Sequence, residues 1–203
     1  FPRRMRELRG LLQANPIFQD RTIDVGYLSP EEAIAWNVTG PTLRGSGIGY
    51  DAYDFDVVTR SEGDAYARFM VRLDEMDQSM RIIEQTRKRL DTPGKVMIDD
   101  PKIAAPPKET IALSMEALIH HFKIVSEGFR VPPGDVYQGI ESPRGELGYY
   151  VVSNGENRPY RVRTRPPSMY NLQCLKGIAV GNLIADLVVT IGSLDPVFGE
   201  VDR

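Results

Sequence analysis

The sequence predicts a mainly α-helical fold with a small antiparallel β-sheet, that is, an α+β protein. Three observations support this fold class: two long segments with apolar residues at helical spacing, three short segments rich in Val, Ile and Tyr, and an apolar stretch near the end of the chain. Hydrophobic residues make up 41% of the 203 residues and charged residues 26%, which is ordinary for a globular protein that could form one domain.

The N-terminal part of the chain predicts short elements. A basic helix is expected over 3–14, and Asn15 with the proline after it ends this helix. Ser29 should cap a second short helix that runs to about Asn37, because a proline and two acidic residues follow the serine. Four glycines within 40–49 predict a loop or a tight chain crossing.

Two long helices are expected in the middle of the chain, at about 62–90 and about 107–127. In both segments apolar residues recur at alternating steps of four and three. They are Phe69, Leu73, Met76, Met80 and Ile83 in the first segment, and Ile111, Met115, Leu118, Phe122 and Val125 in the second. Each set forms one stripe, which is expected to face a core.

A small sheet is expected over about 136–165. Its strands are expected at Val136–Ile140, Leu147–Ser153 and Tyr160–Arg165. Three basic residues alternate along the third strand and therefore project from one face. They are Arg161, Arg163 and Arg165. The simplest interpretation is a solvated face, although such a face could also meet phosphates, lipid headgroups or an acidic partner protein.

A last helix is expected over about 171–191, followed by a tail over 192–203. This segment is the most apolar in the chain, but it contains Lys176, Asn182 and Asp186. A charge at the centre of a membrane helix costs about 3 kcal/mol, so a buried helix inside the protein is expected instead of a membrane span. Asp186 is either a carboxylate that is hydrogen-bonded in the protein or exposed on one face, or a buried acid with a raised pKa near a functional cavity.

Composition excludes several kinds of site. The single cysteine, Cys174, excludes an intrachain disulfide and a cysteine-rich zinc or iron–sulfur site built from this chain alone. His120 and His121 would point about 100° apart on a helix, so no metal site is expected. The net charge of −3 gives no reason to expect nucleic acid as a partner. No catalytic and no cofactor-binding residue can be assigned from the residues alone.

Three blocks of the sequence resemble the D-type subunit of bacterial NADH:quinone oxidoreductase (respiratory complex I), which is related to the large chain of nickel–iron hydrogenases. The blocks are Gly40–Gly47, Ile140–Gly148, and Arg165–Ser168 with Asn171, Leu172 and the ending Gly192–Arg203. The segment Asp64–Gln85 fits as well, so the resemblance covers essentially the whole chain. It implies the C-terminal part of such a subunit, without the N-terminal half. The implied fold is a hydrogenase-large-subunit-like helical core with a C-terminal helix and an extended tail.

The resemblance also implies the site. In hydrogenases the tail carries an Asp-Pro-Cys-x-x-Cys motif whose thiolates hold the metals, whereas Val197 and Glu200 stand at the cysteine positions here and cannot supply thiolates. A metal cavity that became a quinone cavity is implied, with Asp195 and Val197 lining it. Arg144 and Arg165 are expected on a charged path that leads from it.

By the same resemblance, the chain would serve electron transfer from NADH to quinone coupled to proton translocation, and an isolated fragment would be inactive. This chain itself would bind no cofactor; quinone is the substrate, and NAD and the iron–sulfur clusters belong to the whole complex. The implied partners are the B-type subunit with the terminal iron–sulfur cluster, the C-type subunit and the H-type membrane subunit. The implied location is peripheral, on the cytoplasmic side of the cell membrane.

Two other functions are compatible with the same residues. One is a component of a membrane-bound hydrogenase-related complex, against which the missing cysteines argue. The other is a structural assembly module whose basic strand docks partner subunits. The sequence also departs from the family between Gly49 and Asp54, where it is shorter than family members usually are.

Overall fold

The computed structural model describes residues 2–48, 55–90 and 94–202. Helices predominate, and three strands form one antiparallel sheet, which confirms the predicted α+β class. In chain order the elements are α1 (Pro2–Leu12), α2 (Pro16–Asp20), α3 (Pro30–Ala35), α4 (Pro41–Arg44), α5 (Ala65–Leu90), α6 (Lys108–Ile111), α7 (Met115–Ser126), β1 (Gly134–Ser142), β2 (Gly145–Ser153), β3 (Arg161–Arg165), α8 (Pro167–Gln173), α9 (Leu175–Ile178), α10 (Ile184–Leu194) and α11 (Phe198–Val201).

The chain forms two compact units. The first comprises Phe1–Lys88, Gly139–Gly148 and Thr164–Arg203, and the second comprises Arg89–Gln138 and Tyr149–Arg163. The first unit contains two buried apolar clusters. One consists of Leu28, Ala33, Val38, Leu43, Cys174, Ile178 and Leu194, and the other of Met5, Met70 and Leu73. The candidate site described below lies entirely in this first unit.

The short N-terminal helices begin where the capping residues predict. The Asn15 side chain accepts hydrogen bonds from the backbone N–H groups of Ile17 (3.0 Å) and Phe18, so the residue that was expected to end the first helix also starts α2. Ser29 and Glu32 form a capping box at the start of α3. The predicted loop over 40–49 is wrong in part: α4 begins at Pro41, which suits the first position of a helix. Residue 49 lies outside the described residues.

The first long helix is confirmed as α5, which begins at Ala65, three residues later than expected. The Asp64 carboxylate fixes this start, because it accepts a hydrogen bond from the N–H of Ala67 at 2.7 Å. Only the first turns of its apolar stripe are buried. Leu73 is almost completely buried, whereas Ile83 is 57% exposed.

The prediction of a single second long helix is wrong. The segment is divided into α6 and α7, because Ser114 leaves the helical conformation (φ −128°) and its hydroxyl accepts from the N–H of Ala117 as a new N-cap. The apolar stripe that was expected to face a core is largely exposed on α7, where Phe122 is 69% exposed. The apolar residues keep their helical spacing across this break, so the sequence pattern does not reveal it.

The sheet is confirmed with the strand order β1-β2-β3, although its first two strands begin two residues earlier than expected. Pro143 and Arg144 form the turn between β1 and β2. This turn belongs to the first unit and contributes Arg144 to the candidate site.

The last helix and the tail both differ from the prediction. The segment expected to form one helix is divided among α8, α9 and α10, and Gly181 adopts a positive φ of 86° between the last two. The tail is not extended: its first residues complete α10, Asp195 ends that helix in the left-handed conformation, and α11 follows. No helix in the described residues is long and apolar enough to cross a membrane.

Asp186 lies in the first turn of α10 and is 7% exposed. Its carboxylate accepts a hydrogen bond from Arg21 at 2.5 Å, and the N-terminal end of a helix favours a negative charge. This pairing agrees with the first interpretation of Asp186, a carboxylate that is hydrogen-bonded within the protein.

Candidate functional site

The three sequence blocks that carry the family resemblance meet in space. Thr39, next to the first block, binds the second block through its hydroxyl, which accepts from the N–H of Glu146 at 3.1 Å. The Asn171 side chain in the third block accepts from the N–H of Thr39 (3.1 Å) and donates to the carbonyl of Arg144 (3.0 Å). Asn171 is buried, so these bonds replace water that the three segments would otherwise bind.

Gly40 lets the first two blocks approach each other. Its φ is +71°, and a Cβ at this position would lie 2.6 Å from the carbonyl oxygen of Arg144 and from the backbone of Gly145. Only glycine fits a backbone contact of this kind. The β1–β2 turn is thereby held against the start of α4, and the Arg144 side chain extends from this turn.

Arg144 reaches the tail and binds Asp195. Its Nε donates to the backbone carbonyl of Asp195 at 3.0 Å, and its Nη2 lies 3.3 Å from the carboxylate. Asp195 adopts φ +53° at the end of α10, which turns the chain away from the helix and presents both acceptors to the guanidinium. The ion pair is half-exposed, with 32% and 47% of the two side chains accessible. The structure thus brings together two of the four residues that the resemblance assigns to the cavity and to the charged path leading from it.

A cavity of about 380 Å³ lies beside Asp195. Its apolar wall includes Phe18 and Phe69, whose rings meet edge to face with centroids 4.8 Å apart. Arg72 and Asp195 are its charged lining residues. A largely apolar wall with a few convergent polar groups is typical of sites for small organic ligands.

The charged residues near this cavity form a row across α4, α5 and the sheet. Arg44 donates to Glu75 at 2.5 Å and lies 3.3 Å from Glu141. Burial raises the pKa of Glu75, while Arg44 opposes this shift. Burial likewise lowers the pKa of Arg72, while Asp195 and Glu75 act in the opposite direction. Removing the carboxylate of Asp195 or of Glu75 would therefore leave the buried charge of Arg72 with less compensation.

Val197 and Glu200, which the resemblance places at the hydrogenase cysteine positions, are joined by one hydroxyl. The buried Ser168 Oγ accepts from the N–H of Val197 at 3.2 Å and donates to the Glu200 carboxylate. Within residues 2–48, 55–90 and 94–202, no three His, Cys, Asp or Glu side chains come close enough together to hold a metal ion.

Arg165 is held apart from the other three predicted residues. It donates to the carbonyls of Glu146 (2.8 Å) and Asn37, lies 3.5 Å from the Glu146 carboxylate, and stacks over the Tyr170 ring at 4.6 Å. It makes no ion pair with Asp195 in the part of the chain that the structure describes. Because only 13% of its side chain is accessible, the predicted solvated face does not extend to Arg165.

Sequence reasoning missed the roles of Arg72 and Ser168. In the sequence, Arg72 stands out only as part of the segment that fits the family. Its position seven residues after Ala65, which also lines the cavity, does not by itself indicate a cavity. Ser168 follows two prolines, and in the sequence it stands out only as part of the block Arg165–Ser168 that resembles the family. Both roles depend on the fold of the tail, which lies far away in the sequence.

The sequence matches the family described as "Respiratory-chain NADH dehydrogenase, 49 Kd subunit" over residues 1–203. Among curated relatives, it is 47% identical to the D-type subunit of NADH-quinone oxidoreductase from Rhodospirillum centenum, with 100% of this chain and 54% of the relative covered. It is 49% and 50% identical to the proteins of the same name from Citrifermentans bemidjiense and Geotalea uraniireducens, with 100% of this chain and 55% of each relative covered.

The chain spans about half the length of the curated relatives that it matches. The alignment with the Rhodospirillum protein extends over 215 positions, whereas this chain has 203 residues, so that relative has additional residues inside the matched region. The segment between Gly49 and Asp54, which the sequence analysis identifies as shorter than in family members, lies outside the described residues.

Proposed function

The chain belongs to the family of the 49-kDa subunit of respiratory-chain NADH dehydrogenase, and we propose that it forms one wall of a quinone-binding cavity in NADH:quinone oxidoreductase. The observation that carries this proposal is the cavity of about 380 Å³ beside Asp195, which combines an aromatic wall with two charged residues. The substrate would be quinone. The electrons would come from NADH through iron–sulfur clusters that other subunits hold, the last of them in the B-type subunit.

The chemistry of quinone reduction fits such a cavity. The ring is flat and apolar, so the Phe18 and Phe69 rings suit it, while each carbonyl oxygen becomes a hydroxyl on reduction and requires a proton. Asp195 is the acid of the lining, and Arg72 can donate a hydrogen bond to a carbonyl oxygen or to the anion formed on reduction. Arg144 would hold the Asp195 carboxylate in place through their ion pair. The remaining headgroup ligands would come from the other half of a full-length subunit.

Exposed apolar surfaces support a place inside a larger assembly. On the first unit, Ile184 and Val188 of α10 lie one helical turn apart and are 89% and 73% exposed. An open apolar groove in the same unit is lined in part by Trp36, Leu175 and Leu187. Apolar patches of this kind mark interaction surfaces. We assign them to neighbouring parts of the complex, including the B-type and C-type subunits and the H-type membrane subunit. This chain would lie peripherally on the cytoplasmic side of the membrane, and the whole complex would couple electron transfer to proton translocation.

Replacing Val197 with methionine tests the assignment of the tail. Val197 lies two residues beyond Asp195 and is 38% exposed, and it is not among the residues that line the cavity beside Asp195. A longer side chain at this position should reach toward the edge of that cavity. In the assembled complex, the concentration of a quinone-site inhibitor that halves activity should shift by about tenfold, the effect of one or two methylene groups in an apolar pocket. The measurement is an inhibitor titration of NADH:quinone activity.

Val162→Met provides the matched control, because Val162 is similarly exposed on β3, in the second unit. This variant should leave inhibitor sensitivity unchanged. Unaltered sensitivity and turnover in Val197→Met would count against a quinone cavity at the tail.

A further inference from the structure

The segment Asp195–Glu200, which we call the tail turn, begins where α10 ends in a left-handed residue. It connects α10 to the four-residue α11, and the N-cap of α11, Val197, makes no side-chain capping bond. Phe198, the first residue of α11, is 65% exposed. Bonds to other segments help to hold the conformation of the turn.

Two side chains from outside provide these bonds. Arg144 binds the first residue of the turn through the carbonyl and the carboxylate of Asp195. Ser168, at the start of α8, binds Val197 and Glu200 through a single hydroxyl. The Arg144 pair is half-exposed, whereas Ser168 is 1% exposed, so the serine is the contact that is protected from water.

The chemistry of Ser168 fixes the polarity of its two bonds. A hydroxyl has one proton to donate and lone pairs to accept with. The N–H of Val197 can only donate to it, so the hydroxyl proton goes to the carboxylate of Glu200, which accepts. The two bonds are therefore compatible with each other, and donation to the Glu200 carboxylate strengthens the hydroxyl as an acceptor for the N–H of Val197.

We propose that Ser168 is a positioning residue, which fixes the backbone at Val197 and the side chain of Glu200 and so places the tail turn at the edge of the cavity beside Asp195. This inference rests on the proposed quinone function for its kinetic consequence. The structural part of the inference is independent of that function, because the contacts of Ser168 with Val197 and Glu200 do not depend on which ligand the cavity binds. Ser168 itself is not among the residues that line the cavity.

The test uses the assembled complex that contains the full-length subunit, with Ser168→Ala as the central variant. Loss of the hydroxyl leaves the N–H of Val197 without its acceptor, so hydrogen–deuterium exchange at that amide should become about fivefold faster, the effect of one hydrogen bond. The apparent KM for quinone should rise by a similar factor, while kcat per assembled complex changes less than twofold. Assembled complex is counted from NADH oxidation with an artificial electron acceptor.

Three further variants separate positioning from general destabilisation. Ser168→Thr keeps the hydroxyl, so its apparent KM for quinone should equal that of the wild type, provided that its thermal stability shows that the added methyl group fits. Glu200→Gln keeps an acceptor oxygen for the serine and should leave exchange at Val197 within twofold. Ser126→Ala removes an exposed hydroxyl of α7 that binds only its own helix, and should change neither quantity.

Faster exchange at Val197 with a raised KM supports the positioning role. Unchanged exchange in Ser168→Ala overturns it, whatever the quinone kinetics are. Faster exchange with an unchanged KM also overturns it, if Asp195→Asn raises the KM in the same complex. If neither variant raises the KM while exchange at Val197 is faster, the quinone cavity is what fails, and the bond between Ser168 and the turn stands.

Discussion

Replacing Gly40 with alanine is expected to lower the free energy of unfolding by at least about 3 kcal/mol. Gly40 combines φ +71° with ψ −151°, a region that residues with a Cβ enter only at a cost of roughly 1–3 kcal/mol. The new Cβ would also lie 2.6 Å from backbone atoms of Arg144 and Gly145, which cannot move without displacing the β1–β2 turn. The measurement is urea unfolding of the purified subunit.

Gly10→Ala is the matched control, because it introduces the same methyl group within α1, where nothing lies within 4 Å of the new Cβ. That variant should raise stability by about 0.5 kcal/mol, since alanine favours the helix over glycine. A Gly40→Ala protein as stable as the wild type would show that the turn does not pack against α4 as described.

Replacing Arg68 with methionine is expected to cost about 3 kcal/mol of stability. The fully buried guanidinium donates to the carbonyls of Gly26 (2.8 Å) and Gly63 (2.9 Å) and to the hydroxyl of Ser193 (3.0 Å). It thereby joins the segments that precede α3 and α5 to the end of α10. Burial lowers its pKa to about 10, so the charge is costly, but removing its donors leaves the buried Gly26 carbonyl without a partner.

Arg81→Met serves as the control on the same helix. Arg81 is more than half exposed and pairs with Asp56 on the surface, so its loss should change stability by well under 1 kcal/mol. Because Ser193 lies two residues before Asp195, Arg68→Met should also weaken quinone binding in complexes that still assemble. Equal stabilities of the two variants would contradict the role given to Arg68.

The elements that the sequence predicts well are those set by local chemistry. Ser29 caps α3 because its hydroxyl bonds a backbone group three residues away, and a short stretch of sequence contains all that this requires. The break at Ser114 could not be predicted, since the apolar stripe of the two helices stays in phase across it. Gly181 lies within the segment that the sequence predicts as one helix, whereas its positive φ, which separates α9 from α10, follows from tertiary context.

The candidate site was less predictable than the fold. Arg144 and Asp195 lie far apart in the sequence and were proposed together only through the family resemblance, and the contact between them now gives that grouping a physical basis. Arg165 was grouped with them on the same ground, yet Glu146 and Tyr170 hold it elsewhere. Its proposed place on a charged path from the cavity stays a prediction.

The central claim, a quinone cavity beside Asp195, is tested most directly by Asp195→Asn in the assembled complex. The variant removes the charge that faces Arg144 and Arg72 while keeping the size of the side chain. We expect the apparent KM for quinone to rise tenfold or more, roughly the value of one hydrogen bond to a charged group, while NADH oxidation by an artificial acceptor is unchanged. Asp202→Asn, an exposed residue of the same tail, should match the wild type. An unchanged KM and an unchanged rate of quinone reduction in Asp195→Asn would contradict the claim.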